Sequence, residues 1–141
     1  MRTKRKGIAY ILAGVVLLIG LLGSAINIEA YSSAGNWSSY AVMTLESSDS
    51  WKKASHSSLK ATGNDVATFF VDSKTMYTSP DAKLVNSKGE NRSSIVSLSS
   101  VNEKISASGN TGTKGYYYYS KVKPSSLQIG QDSVKYKIMA D

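Results

Sequence analysis

The chain has 141 residues, one histidine and no cysteine, and its 17 basic and 10 acidic side chains give a formal net charge of +7. The lack of cysteine excludes a disulfide framework, a lipoprotein anchor and catalysis by a cysteine nucleophile. The length is sufficient for one domain with an ordinary hydrophobic core, and we expect neither an internal repeat nor a second domain.

The chain begins with a basic cluster followed by an apolar run. Residues 2–6 contain four lysine or arginine side chains, and residues 8–26 contain no charged side chain. This order is typical of a secretory signal, and the small Ala30 favours cleavage after it, so we expect residues 1–30 to be a signal peptide. As a helix the 19-residue run would be roughly 28 Å long, so a retained N-terminal membrane anchor is the alternative. Both interpretations place residues 31–141 outside the cytoplasm, with membrane contact through the apolar run only if the signal is not cleaved.

The charge that bears on function is that of the exported part. From residue 31 onward, 13 basic and nine acidic side chains leave a net charge of about +4, and Arg92 is the only arginine among the basic residues. This mild excess favours anionic surfaces, but it is far below the charge density of nucleic-acid-binding domains, so we expect no nucleic-acid partner. A cysteine-free exported chain rich in lysine and serine is typical of a Gram-positive bacterium.

After a leader at 31–36, which we expect to be flexible, short segments of alternating polar and apolar residues are separated by Gly, Asn, Ser and Pro. The predicted strands are 37–46, 52–62, 65–72, 75–78, 83–85, 93–107 with a break near 99–102, 116–123 and 133–140. No segment after residue 31 has the apolar spacing of a helix. About seven or eight strands with turns every eight to twelve residues predict an all-β fold. We expect a single antiparallel β-sandwich over residues 37–141, with a small barrel as the alternative.

Two of these segments are expected to supply the centre of the core. Residues 65–72 are apolar at odd and even positions, which predicts a strand covered on both faces. Residues 133–140 alternate cleanly between apolar residues and lysines. The predicted core residues are Val66, Phe69, Phe70, Val71, Val134, Tyr136 and Ile138.

Signals for catalysis or metal binding are sparse. His56 lies in a serine-rich segment without a nucleophile motif, and we expect it at the rim of the domain. Asp81, Asn86 and Glu90 flank two turns but lack the spacing of a calcium loop. The glycine-rich segment 109–115 precedes a strand instead of opening a helix, so it is expected to be a hairpin loop and not a phosphate-binding loop. We therefore expect no enzymatic activity, no cofactor and no metal.

The segment 116–123 carries the strongest signal for binding. Because side chains alternate along a strand, one set is expected to point into the core: Tyr116, Tyr118, Ser120 and Val122. The other set would form an outer face: Tyr117, Tyr119, Lys121 and Lys123. Lys135 and Lys137 would extend that face if the last strand pairs alongside. Such a surface suits an anionic cell-wall polymer, lipid headgroups or an envelope protein, although tyrosine also favours strands and lysine keeps any surface soluble.

The layout resembles small exported Gram-positive proteins, including bacteriocins of the lactococcin type, which also have a signal, no cysteine and a small β-rich mature part. The similarity lies in this architecture and in the Trp, Lys, Ser and His residues of 51–59, and no residue roles are carried over from it. We expect a non-enzymatic exported binding protein that acts at the cell envelope or outside the cell. The alternatives are a bacteriocin-like secreted toxin that acts on a target membrane or cell wall, and a small hydrolase with carboxylates that the sequence does not pair.

Export can be tested by expressing the full chain and sequencing the N-terminus of the material found outside the cell. We expect a mature chain that begins at Tyr31, because Ala30 is the best small residue for the last position before cleavage. An intact chain held in the membrane would support the anchor, and an intact chain in the cytosol would contradict export.

Overall fold

Eight β-strands and no helix make up the part of the chain that the computed structural model describes, residues 37–75 and 79–141. The strands are β1 (Ala41–Glu46), β2 (Lys52–Leu59), β3 (Ala67–Lys74), β4 (Asp81–Val85), β5 (Val96–Ser97), β6 (Lys104–Ala107), β7 (Tyr117–Lys123) and β8 (Gln131–Met139). Within these residues, no helix is long and apolar enough to cross a membrane. The prediction of an all-β fold is confirmed. The signal or anchor at 1–30, the leader at 31–36 and most of the strand predicted at 75–78 lie outside the described residues.

The strands form two antiparallel sheets of four strands each. One, the β8 sheet, has the order β1-β8-β3-β6, and the other, the β7 sheet, has the order β2-β7-β4-β5. Only β4 and β5 are both consecutive in the chain and adjacent in a sheet. Neighbouring strands are therefore mostly distant in sequence, and short hairpin turns do not determine their register.

Two connections between the sheets can be compared with the sequence prediction. The long segment 93–107 is divided between β5 in one sheet and β6 in the other, and the predicted break lies between them, where Asn102 has a φ of 61°. The prediction of a hairpin loop at 109–115 is wrong. The strands on either side of it, β6 and β7, belong to different sheets, so this segment crosses from one sheet to the other.

One hydrophobic cluster draws on both sheets. Its buried members are Ala41, Leu45, Ala54, Ala67, Phe69, Val71, Ala82, Leu84, Leu98, Ala107, Tyr118, Val122, Val134, Tyr136, Ile138 and Ala140. The core predictions for Phe69, Val71, Val134, Tyr136 and Ile138 are confirmed. Because each sheet contributes alternate residues to the same cluster, the two sheets bury their apolar faces together.

The core predictions for Val66 and Phe70 are wrong. Val66 precedes β3 and is only half-buried. Phe70 alternates with its buried neighbours along β3, so its ring lies on the outer face, 6.3 Å from the ring of Trp37 and 5.3 Å from the Nζ atom of Lys137. The outer face of β3 is therefore only partly covered at this position.

Tyr136 connects the two sheets at the centre of the core. Its buried ring stacks on Phe69 with centroids 6.5 Å apart, and its hydroxyl lies 2.7 Å from the hydroxyl of Ser120 on β7, a hydrogen bond in which either group can donate. Burial raises the pKa of Tyr136 far above its ordinary value, although the Ser120 hydrogen bond opposes this shift. The phenol therefore keeps its proton in the folded state well beyond neutral pH.

Replacing Tyr136 with Phe tests how strongly this contact stabilises the domain. The variant keeps the aromatic packing but leaves the Ser120 hydroxyl, which is 1% exposed, without its partner. We expect the free energy of unfolding, measured by urea denaturation, to fall by about 1–3 kcal/mol. Tyr117→Phe, at a ring that is 58% exposed, is the control and should change it by less than about 0.5 kcal/mol. Equal effects of the two substitutions would show that the inter-sheet contact contributes nothing.

The stabilities of the wild type and Tyr136→Phe should also differ in their pH dependence in alkaline solution. An unfolded tyrosine loses its proton near pH 10, whereas the folded Tyr136 keeps it. The stabilisation from this difference is complete below about pH 10 and is lost as the pH rises above it. The free energy of unfolding should therefore fall more steeply with pH in the wild type than in Tyr136→Phe over about pH 9.5–11. Identical slopes would contradict the raised pKa.

Candidate anion-binding face

Strand β7 presents alternate residues to the core and to the outer face of its sheet. The inward residues Tyr118, Ser120 and Val122 are buried, and the outward residues are Tyr117, Tyr119, Lys121 and Lys123. This is the alternation predicted from the sequence, with one correction. Tyr116, predicted to point inward, precedes the strand and is 64% exposed. The four outward residues share one side of β7, and their binding role stays a prediction.

The strand register places two further lysines beside Lys121. Lys53 on β2 and Lys83 on β4 are its direct cross-strand neighbours, one on each side. Lys123 lies two positions further along β7, on the same face. We call these four residues the lysine patch. Three of them form a row of like charges across adjacent strands, an arrangement that destabilises a sheet.

Two aromatic rings lie among the ammonium groups of the patch. The Nζ atoms of Lys83 and Lys123 are 4.1 and 5.1 Å from the ring centre of Trp51. The Nζ atom of Lys53 is 4.0 Å from the ring centre of Tyr119. Such cation–π contacts hold the lysine side chains in place but leave their charge intact.

The patch contains more lysine ammonium groups than nearby carboxylates to pair with them. Within residues 37–75 and 79–141 it forms one ion pair, between Lys123 and Asp81, with 3.4 Å between Nζ and Oδ2. Lys53 donates a hydrogen bond of 2.6 Å to the backbone carbonyl of Ser87, which is a neutral acceptor. Four ammonium groups and one paired carboxylate leave three positive charges on this face.

Lys83 is the most buried member of the patch, with 8% of its surface exposed. Burial lowers its pKa, and the neighbouring charges of Lys121 and Lys123 lower it further. Lys60 is also buried, but its Nζ atom donates hydrogen bonds to three backbone carbonyl groups. Lys83 has no hydrogen bond or ion pair with any described residue, and its Nζ atom lies over the ring of Trp51. The patch therefore contains a buried cation without a counter-charge.

Lys135 and Lys137 do not extend this face, which corrects the sequence prediction. Both lie on β8, which pairs with β1 and β3 in the other sheet and not with β7. Lys135 forms an ion pair with Asp72 at 3.0 Å. The Nζ atom of Lys137 lies 4.8 Å from the ring centre of Trp37 and 5.2 Å from that of Tyr40.

A groove of about 380 Å³ opens beside the first residues of β7. It is lined by Asn86, Ser87, Arg92, Thr111, Thr113 and the tyrosines at 116–118. One wall is the connection between β4 and β5, and the other is the connection that leads into β7. Tyr116 and Tyr117 are 64% and 58% exposed, so the groove is bordered by two accessible aromatic rings.

Internal contacts hold the wall that leads into β7. The Tyr118 hydroxyl accepts a hydrogen bond from the backbone N–H of Thr113 at 2.5 Å. It also donates one to the backbone carbonyl of Thr113 at 3.2 Å. The side-chain amide of Asn110 donates to the carbonyl of Ala140 at 2.6 Å. An added Cβ at Gly112 would lie 2.8 Å from the ring of Tyr118, so the chain can pass at this distance only with glycine. The wall is therefore held by contacts within the chain itself.

The residues that the sequence suggested for catalysis or calcium binding do not come together in one site. His56, predicted at the rim, is half-buried in the irregular part of β2, and its Nδ1 atom has no hydrogen-bond partner among the described residues. Asn86 donates a hydrogen bond to Glu90 across a turn at 2.6 Å, and Asp81 pairs with Lys123. In the described part of the chain, no three His, Asp or Glu side chains are close enough to hold a metal ion.

Sequence reasoning missed Lys83 and the groove. Lys83 lies between the core residues Ala82 and Leu84, so alternation would have placed its side chain on the outer face. Its position beside Lys121 depends on which strands pair, and no short segment of sequence contains that information. Arg92 stood out as the only arginine after residue 31, but nothing local predicted that it would line a groove with the tyrosines.

The lysine patch and the groove are interpreted from this chain alone. Comparisons with protein-family models, with curated proteins and with solved structures find no match to the chain. What the site can bind therefore has to follow from its charge, its shape and its hydrogen-bonding groups.

Removing the central charge of the lysine row should stabilise the domain. Lys121→Gln keeps a long polar side chain but removes the charge that faces Lys53 and Lys83. We expect the free energy of unfolding to rise by about 0.2–1 kcal/mol at low salt, because like charges directly opposite each other destabilise a sheet. The gain should shrink at high salt, because exposed charges are screened over about 10 Å at 0.1 M. Urea denaturation at two salt concentrations measures both effects.

Lys104→Gln is the matched control. Lys104 is exposed on β6 in the other sheet, where its cross-strand neighbour is Phe70 and not a second lysine. This substitution should change stability less than Lys121→Gln at low salt. A loss of stability in Lys121→Gln at low salt would show that the row is not repulsive.

Proposed function

We propose that the chain is an exported, non-enzymatic β-sandwich protein that binds an anionic polymer of the cell envelope through the lysine patch. The observation that carries this proposal is the row of Lys53, Lys121 and Lys83 across three adjacent strands. Only Asp81 compensates the patch among the described residues, so a negatively charged ligand would supply the missing counter-charge. Binding would also relieve the repulsion within the row.

The spacing of the patch favours a ligand with repeated negative charges. Adjacent strands lie about 4.8 Å apart, so the row extends over about 10 Å, and Lys123 adds a position about 7 Å along β7. A single small anion would contact part of this area, whereas a polymer would place successive phosphate or carboxylate groups against it. Lysine suits such a ligand because its ammonium group is a mobile point charge with three donors.

The predicted location narrows the choice of polymer. The signal predicted at 1–30 would bring the domain into contact with the envelope, where a Gram-positive wall offers anionic polymers. A bacteriocin-like toxin, the alternative from the sequence, would direct the same patch to the surface of another cell. The two functions differ in the target cell and not in the chemistry of the face.

The double substitution Lys121→Glu/Lys123→Glu tests the proposal. It changes the charge of the face by four units, and both side chains lie outside the core. We expect binding of the purified domain to protein-free Gram-positive cell walls to weaken by about tenfold or more, because each exposed charge contact contributes about 0.2–1 kcal/mol. Binding of the wild type should also weaken as salt is added. Unchanged wall binding by the variant would refute the proposal.

Lys104→Glu/Lys135→Glu is the control for charge. It makes the same change of four units on the outer face of the β8 sheet, and Lys135 there already has Asp72 as a partner. Wall binding should fall much less than with Lys121→Glu/Lys123→Glu. Urea denaturation of both variants checks that each remains folded. A larger loss of wall binding in the control would indicate that the binding face lies on the β8 sheet.

Anionic liposomes distinguish a polymer from lipid headgroups as the source of negative charge. Leu127 and Ile129, which are 76% and 94% exposed, lie in the connection between β7 and β8, and binding to lipid would use such apolar side chains. Leu127→Ser/Ile129→Ser should bind cell walls as well as the wild type does. If the wild type binds only liposomes and the serine variant loses that binding, the partner is lipid and the polymer proposal is wrong.

A further inference from the structure

We infer that the groove beside the lysine patch holds a sugar unit, so that the anionic polymer is a glycan. This inference rests on the proposed function, because it assigns a chemical class to the same ligand. The volume of about 380 Å³ lies within the range of small-ligand sites, roughly 300–1,000 Å³. The groove is thus large enough to hold a cyclic unit of a polymer, whereas the patch alone offers only a flat face.

The groups around the groove match the two surfaces of a sugar ring. The exposed rings of Tyr116 and Tyr117 can stack on the apolar C–H face of a sugar. Thr111 and Thr113 bring two exposed hydroxyl groups, which can donate to and accept from sugar hydroxyls, whereas the Asn86 amide is already hydrogen-bonded to Glu90. A purely apolar ligand would make no hydrogen bonds to these two hydroxyl groups, and a bare polyanion would make no use of the phenol rings.

Arg92 gives the groove a cation whose charge is already partly balanced. Its guanidinium forms an ion pair with Glu90 at 2.9 Å and donates a hydrogen bond of 2.9 Å to the carbonyl of Asn91. The remaining N–H groups can serve a sugar hydroxyl or a ring carboxylate. The groove therefore recognises the ring, and the lysine patch recognises the negative charges of the following units.

The groove and the patch are close enough for one polymer chain to contact both. Ser87 lines the groove, and its backbone carbonyl accepts the hydrogen bond from Lys53 in the patch. On the same turn, an added Cβ at Gly89 would lie 2.9 Å from the Nζ atom of Lys121. Tyr117 of the groove and Lys121 of the patch also share one face of β7.

Hydrogen bonds within the chain hold both walls of the groove. The backbone N–H of Thr111 donates to the carbonyl of Arg92 at 2.9 Å, which joins one wall to the other. Asn86 accepts a hydrogen bond from the backbone N–H of Glu90 at 2.9 Å and so closes the turn. A site with preformed walls loses little conformational freedom on binding, which suits a weakly held sugar ring.

The test compares ring removal with ring retention. Tyr116→Ala/Tyr117→Ala removes both phenol rings, and Tyr116→Phe/Tyr117→Phe keeps both rings without their hydroxyls. Both residues are exposed, so neither variant should unfold the domain. The probes are polyphosphate, which has charge but no sugar, and four acidic polysaccharides with different rings: polygalacturonate, alginate, hyaluronate and dextran sulfate.

We expect at least one polysaccharide to bind the wild type and to bind the alanine variant about ten- to a hundredfold more weakly, because each ring contact contributes about three- to tenfold. The phenylalanine variant should keep most of this affinity, and polyphosphate binding should be the same in all three proteins. In NMR titrations, the amide signals of Thr111 and Thr113 should shift with fragments of that polysaccharide and not with polyphosphate.

The failure of this inference is distinguishable from the failure of the proposed function. Lys121→Glu/Lys123→Glu should weaken the binding of every probe, with or without sugar. If the alanine variant loses no affinity for any polysaccharide, or loses it equally for polyphosphate, the groove does not hold a sugar and the patch alone binds. If cell walls bind the wild type but none of the polysaccharides does, the inference is wrong and the proposed function stands. If neither cell walls nor any probe binds, both proposals are wrong.

Discussion

The hydrogen bond between the hydroxyls of Tyr136 and Ser120 sets the relation between the two sheets. Each residue lies on a strand with a neighbour on both sides, and each hydroxyl is buried away from water, so each requires the other as its partner. A slip of one residue in β7 would bring Tyr119 or Lys121 into the core in place of Ser120. The same contact therefore determines which residues of β7 form the outer face, and the candidate site depends on it.

The two sheets present outer faces with similar residues, but the lysines are arranged differently on each. Lysines lie over aromatic rings on both faces, as Lys137 does over Trp37 in the β8 sheet and Lys83 over Trp51 in the β7 sheet. On the β8 face, the cross-strand neighbours of the lysines are not lysines. On the β7 face, three lysines are direct neighbours across the strands. Aromatic contacts stabilise a lysine on either face, and Lys104 and Lys137 on the β8 face also form no ion pair with a described residue. The β7 face is therefore distinguished by the direct adjacency of its lysines.

The row of like charges is expected to lower the stability of the domain. Like charges across a sheet cost about 0.2–1 kcal/mol per pair, which a domain with about 5–15 kcal/mol of total stability tolerates. The shared core and the inter-sheet hydrogen bond supply the stability that the charged face lacks.

The sequence by itself determined the features that depend on neighbouring residues along one strand. It predicted an all-β fold, five buried core residues on β3 and β8, and the inward and outward sets of β7, because the pleat of a strand points successive side chains to opposite sides. Only the tertiary structure decided which strands lie side by side. It placed Lys53 and Lys83 beside Lys121, moved Lys135 and Lys137 to the other sheet, and turned 109–115 into a crossover that forms a wall of the groove. Among the strands that the structure describes, only one adjacent pair is consecutive in the chain. These contacts therefore depend on residues far apart in sequence and on how both sheets bury their apolar faces together.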